Sequence, residues 1–136
     1  MPKMFIHASP HAIPLAARSR VAAELTELAI SCERLSPADG VRNGIWTFFV
    51  DQGDDSVFVG GKATSASIVA LVIYALTGGL DDSARGKMIF KATEIIARYG
   101  NMGEGPPPIY VVIHEVAEKN WGMFGHQVSL ADLRTH

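Results

Sequence analysis

The chain has one cysteine, Cys32, so no internal disulfide can form. Cys32 falls on the apolar side of a helical pattern and reads as a buried, inert thiol. Charge is sparse and balanced, with 12 Lys and Arg against 14 Asp and Glu and a net charge of −2. That leaves no electrostatic basis for binding nucleic acid. Long hydrophobic runs are missing too: the longest, residues 68–76, is too short to cross a bilayer. The amino end carries one Lys and then a broken apolar stretch, which is not the pattern of a signal peptide. These absences lead us to expect a soluble, cytoplasmic protein with no membrane partner. Five histidines stand at positions 7, 11, 114, 126 and 136, without the helical pairing or cysteine partners of a zinc motif. No glycine-rich phosphate loop is present, so neither a metal nor any other cofactor is expected.

What is present suits a folded domain. Hydrophobic residues make up 48% of the 136 positions, enough for one real core. Residues 3–8 read as a short strand. A helix follows from near Pro14, with an apolar stripe at Val21, Leu25, Leu28, Ala29, Cys32 and Leu35. Residues 36–44 are loop by composition, and residues 45–50 are a β-prone run ending at Asp51. The segment Val57-Phe-Val-Gly-Gly61 reads as a short strand or hairpin arm.

The plan then repeats. Residues 67–76 read as a strand buried on both faces. Asp81, Asp82 and Ser83 offer N-cap oxygens for a second helix, and Gly100 offers a C′ residue. An offset of 67 carries Met88, Ala92, Ile95, Ile96 and Tyr99 back onto Val21, Leu25, Leu28, Ala29 and Cys32. Residues 109–116 form the next strand. An offset of 64 carries Glu115 onto Asp51 and Trp121-Gly-Met-Phe-Gly125 onto residues 57–61. Asp51 and Glu115 therefore read as matched structural strand ends, not as an acid/base pair.

The chain is expected to be α+β: two fused β-α-β units, about residues 1–62 and 66–130, in a single domain. Each unit should be a right-handed crossover with parallel strands. Together they would make one four-stranded mixed sheet with two helices on one face. The other face would be bare and too apolar for water, which points to oligomerisation.

Pro2 carries the chemistry. A small penultimate residue allows Met1 to be removed, which would leave Pro2 as a terminal secondary amine. Such an amine titrates at about 7.7–8.0, and burial lowers that value towards the range where general bases work best. The ring fixes φ and holds the lone pair on a stiff mount. The repeat sets a limit: Pro2 corresponds to Val69, which lies inside the chain, so one half alone can supply such an amine.

Met1-Pro2 before a short strand, the β-α-β repeat and the closing segment Glu115-Val-Ala-Glu-Lys-Asn-Trp121-Gly-Met-Phe-Gly125 together resemble the tautomerase superfamily. The closing segment looks like the end of 4-oxalocrotonate tautomerase. The length and the residues 56–61 look more like the fused, double-length branch that contains cis-3-chloroacrylic acid dehalogenase and malonate semialdehyde decarboxylase. The resemblance covers nearly the whole chain. It implies a homotrimer, Pro2 as the catalytic residue and Trp121 as an aromatic pocket wall. Phe124 is a second aromatic at that end, read chiefly as core packing.

The departures narrow the activity. The dehalogenase and decarboxylase members carry arginines after the third strand, whereas residues 77–83 here hold two acids and no arginine. The dehalogenase's helix histidine aligns with Ala29, its water-activating glutamate with Met123 and its tyrosine with Val112. This argues against dehalogenation or decarboxylation by those residue sets. Other polar groups could serve the pocket. Tyr110 and His114 share a strand face with Val112. His11 follows the first strand, where the small tautomerases place an arginine, and Arg42 could reach a neighbouring subunit. Arg18 and Arg20, near the start of the first helix, should face solvent or an interface. The reading is a tautomerase-like isomerase on a small enol, keto or unsaturated carbonyl substrate. The alternatives are a hydratase on an unsaturated acid and a non-catalytic trimeric binding or assembly protein.

Overall fold

A computed structural model describes residues 1–135; His136, one of the five histidines, lies outside them. Strand β1 (Lys3–Ala8) leads through a 3-10 turn at Leu15–Ala17 into helix α1 (Arg18–Glu33). A short helix, α2 (Asp39–Arg42), precedes β2 (Trp46–Asp51), and the hairpin β3 (Phe58–Val59) and β4 (Lys62–Ala63) follows. The second half runs β5 (Val69–Leu76), α3 (Asp82–Tyr99) and β6 (Ile109–Val116), then the hairpin β7 (Gly122–Met123) and β8 (His126–Gln127). Helix α4 (Leu130–Thr135) follows as the last element among the described residues.

The four long strands lie in the order β2-β1-β5-β6. β1 pairs parallel with β2, β5 pairs parallel with β6, and β1 meets β5 antiparallel. The mixed sheet read from the repeat is thus formed, with α1 and α3 packed side by side on one face. Met4, Ile6, Leu71 and Ile73 point from the sheet into that layer and meet Val21, Leu25, Met88 and Ile96, all almost fully buried. Each such side chain contributes roughly 1.5–3 kcal/mol on burial.

The repeat extends to the polar contacts. Arg18 donates to both oxygens of Asp51, at 3.1 and 2.6 Å. Arg85, 67 residues later, does the same to Glu115 at 3.1 and 2.9 Å. Each pair ties the first turn of a helix to the end of the next strand. The two hairpins also correspond: Gly60 and Gly61 turn the first with φ of 58° and 80°, and Phe124 and Gly125 turn the second with 53° and 84°.

Three local expectations change. Residues 36–44 are not all loop: Asp39–Arg42 make one helical turn, held by Arg42 N–H to Ala38 O and Asn43 N–H to Asp39 O. β5 is buried on one face only, because Ala70, Val72 and Tyr74 stay half-exposed on the face opposite the helices. Gly100 is not a left-handed cap, since its φ is −90°. It is small because a Cβ would lie 2.9 Å from Ile96 O and 3.1 Å from Ala12 O. The left-handed cap occurs at α1 instead, on Arg34 with φ 55°. No described helix is long and apolar enough to cross a membrane.

Candidate active site

Pro2 is fully buried at the head of β1. In this chain Met1 precedes it, so the free amine belongs to Met1. The Met1 side chain is itself only 8% exposed and rests on Gly44, where a Cβ would overlap its sulfur. Burial lowers this amine from 8.0 to about 6, against the opposing pull of Glu33.

Lys3 closes the site from the open side of the sheet. Its ammonium donates to the Gly44 carbonyl and, at 3.4 Å, to the Met1 carbonyl. It lies 4.8 Å from the Trp46 ring centre and 5.9 Å from that of Trp121. Burial lowers the Lys3 amine from 10.5 to about 8. Trp121 is 8% exposed and forms one wall of a groove with Lys3, Phe5, Tyr74 and Asn120. The groove measures about 280 Å³. That is at or below the lower limit of common ligand pockets, roughly 300 Å³, so one chain supplies part of a site.

On the helix side, Glu33 ends α1 and is 1% exposed. Its Oε1 has no hydrogen-bond partner. Burial raises its carboxyl from 4.5 to about 7, opposed by the chain's amine, the Arg134 guanidinium and the Leu76 N–H. Sequence reasoning overlooked both Lys3 and Glu33. Glu33 left a signal: it stands four residues after Ala29, an acid placed on an apolar stripe.

The other predicted site residues scatter. His11 lies beyond the far end of β1, about 20 Å from Pro2 at the rise of a strand. It borders clefts with Pro10 and Asp54 instead. Tyr110 is paired with Ala70, which faces His7, so it too lies at the far end of the sheet. His114 is level with Lys3 through Tyr74, on whose ring it stacks at 5.1 Å. Arg42 pairs with Glu27 beside a cleft of about 660 Å³ between the helices and α2. That cleft is larger than the groove at Trp121, and its Asn43 and Ile45 flank Gly44, on which Met1 rests. Phe124 is not core: it sits on the hairpin turn and is 80% exposed. Arg18 is not a loose surface charge but the partner of Asp51. Within one chain, then, Trp121 joins the amino end and His114 borders it, while His11 and Tyr110 lie at the far end of the sheet, Arg42 is taken up by Glu27 and Phe124 is exposed. Among the described residues no three His, Cys, Asp or Glu side chains cluster to hold a metal.

Residues 71–131 match the family model described as tautomerase enzyme. No curated protein matches the chain by sequence. Among solved structures, a member of the cis-3-chloroacrylic acid dehalogenase family superposes with a TM-score of 0.75 at 17% identity, covering 93% of this chain and 83% of that one. A native fused 4-OT gives 0.74 at 14%, covering 92% and 94%. A macrophage migration inhibitory factor-like protein from Entamoeba histolytica gives 0.69 at 17%, covering 93% and 98%. Another fused 4-OT, with a TM-score of 0.72 at 13% identity and covering 95% and 96%, is a symmetric trimer. A member of the cis-3-chloroacrylic acid dehalogenase family shares this fold, so the fold does not exclude that chemistry and only the residues argue against it here. The resemblance read from the sequence stands: residues 71–131 match the tautomerase enzymes in sequence, and nearly the whole chain has the fold of their fused, double-length branch.

Proposed function

We propose that the protein is a tautomerase-like isomerase in which Pro2, freed by removal of Met1, moves a proton on a small enol, keto or unsaturated carbonyl compound. The observation that carries this reading is the burial of the amino end. An amine held in apolar surroundings stays neutral near pH ~7 and can accept a proton from carbon or an enol oxygen. Trp121 forms a wall that excludes water. Lys3 takes the place of the missing arginines as the cation that holds a substrate carboxylate. The site is completed in a homotrimer, because the groove of one chain is shallow and the sheet face beside it is open.

Intact mass comes first, with the expected loss of Met1. Turnover of phenylenolpyruvate or 2-hydroxymuconate should then fall by at least about 100-fold in Pro2→Ala, in line with the usual worth of acid–base catalysis. Equal rates for the two proteins would refute the reading. Lys3→Met should raise KM by about tenfold with a smaller change in kcat, the pattern of a lost ground-state contact. A second reading, the non-catalytic assembly protein, is favoured by the seat of Met1 on Gly44. A retained Met1 in the mature protein would decide for it.

A further inference from the structure

We propose that Glu33 is a positioning residue of this site: its buried carboxyl lies beside the amino end of the chain and, once Met1 is removed, balances the charge that the Pro2 amine gains when it takes a proton. The proposal rests on the reading that the amine is the working base.

The geometry comes from three elements. β1 runs antiparallel to β5 with Lys3 opposite Tyr74, so the same register sets Pro2 opposite Ala75 and Met1 opposite Leu76. The Leu76 N–H favours the charged form of the Glu33 carboxyl. The carboxyl and the amino end thus converge on the end of β5. The turn after β5 closes over them, since a Cβ on Gly79 would lie 3.0 Å from Glu33 Oε1. Arg134 of α4 braces the same place from outside, donating to Glu33 O and Gly79 O, both at 3.1 Å. The charged groups around the carboxyl are the amine, Arg134 and Glu115, with Lys3 on the far side of the amine.

A side chain so buried, with one oxygen unpartnered, is costly to keep as an ion. Chemistry at the amine gives it a use. When the substrate's C–H or O–H bond breaks, its electron pair stays on the substrate and the proton forms a new N–H bond. The resulting ammonium has lost its water, and the Glu33 carboxylate is the anion available to it inside the chain. Return of the proton to another substrate atom restores the neutral amine. Two groups coupled in this way titrate in two steps that belong to the pair.

The test uses Met1-free protein, verified by mass and labelled with 15N-proline, with the terminal nitrogen followed by NMR as pH is varied. Glu33→Gln should lower the amine's pKa by about one unit and carry the acid limb of the kcat/KM profile with it. Glu33→Asp should restore part of the shift. A change under about 0.2 units in Glu33→Gln, with Pro2→Ala inactive, would sink the role of Glu33 alone. Full turnover by Pro2→Ala would instead sink the amine reading and the role of Glu33 with it. If Glu33→Gln does not fold, the 13C titration of the Glu33 carboxyl in the unaltered protein reads the same coupling. Two steps support the pair, and one step near an ordinary glutamate value refutes it.

Discussion

Glu33 also governs how stability depends on pH. An unfolded glutamate titrates near 4.5, while burial holds Glu33 near 7 in the fold. Between those values the folded chain holds a proton that the unfolded chain has lost. This group therefore lowers stability as pH rises through the window, and its full cost is present above about pH 7. Glu33→Gln removes the charge, so it should stabilise the protein by about 1–3 kcal/mol at pH ~8 and change little at pH ~4. Urea unfolding at the two pH values measures the difference, and an equal change at both would contradict the buried titration. Gly79→Ala should act in the opposite direction. Its Cβ would press on Glu33 Oε1 at 3.0 Å and on Leu76 O at 3.1 Å. A backbone oxygen cannot step aside cheaply, so a loss of about 1–3 kcal/mol is expected.

Among the elements, the same clamp is built twice, as Arg18–Asp51 and Arg85–Glu115. Neither pair is deeply buried, so each double-mutant cycle should give only a small coupling, smaller again in high salt. A coupling of several kcal/mol in either pair would mean that the clamps hold the crossovers more firmly than exposed ion pairs can. Asp81→Ala should cost α3 about 1 kcal/mol, because the Asp81 side chain accepts the Ala84 N–H at 2.7 Å. The arginines of the clamps were not read from the sequence, where Arg18 was expected to face solvent or an interface, but the Asp81 cap and the matched acids Asp51 and Glu115 were legible, since they follow from local offsets. So were the helix stripes, which follow from period alone. α2 was not, because the burial of Val41 that holds its single turn is tertiary. The half-open face of β5 was missed for a related reason. A run of apolar residues reports burial in the finished assembly and does not say which chain covers it. In the proposed site, Pro2 was read from its position and Trp121 from the closing segment, and the chain buries both. Lys3 was not read, because nothing local shows that its side chain folds back over Gly44. His11 was drawn in by its place after the first strand and Tyr110 by sharing a strand face with Val112, and both lie at the opposite end of the sheet.

Across the whole molecule, the sheet face away from the helices remains to be covered. Phe5 stacks on Phe48 at 5.0 Å, Trp46 meets Phe48 edge-on at 6.5 Å, and Tyr74 meets Phe5 edge-on at 5.9 Å. Trp46 and Phe48 are both exposed in one chain. Packed aromatic clusters open to water mark contact surfaces. This cluster is continuous with the groove at Trp121 through Phe5 and Tyr74. The proposed trimer would cover the aromatics and deepen the groove in one step, linking assembly to catalysis. Phe48→Asp tests that link, because Phe48 lies outside the helix-facing core and its loss should leave the fold of the chain intact. Light scattering should give the mass of three chains for the parent and of one for the variant. Circular dichroism should be nearly unchanged, and turnover should fall to the level of Pro2→Ala. A monomeric parent would remove the trimer from the account. A monomeric variant with full turnover would mean that one chain's groove is already a complete site, and Lys3, Trp121 and the amine would then have to hold the substrate unaided.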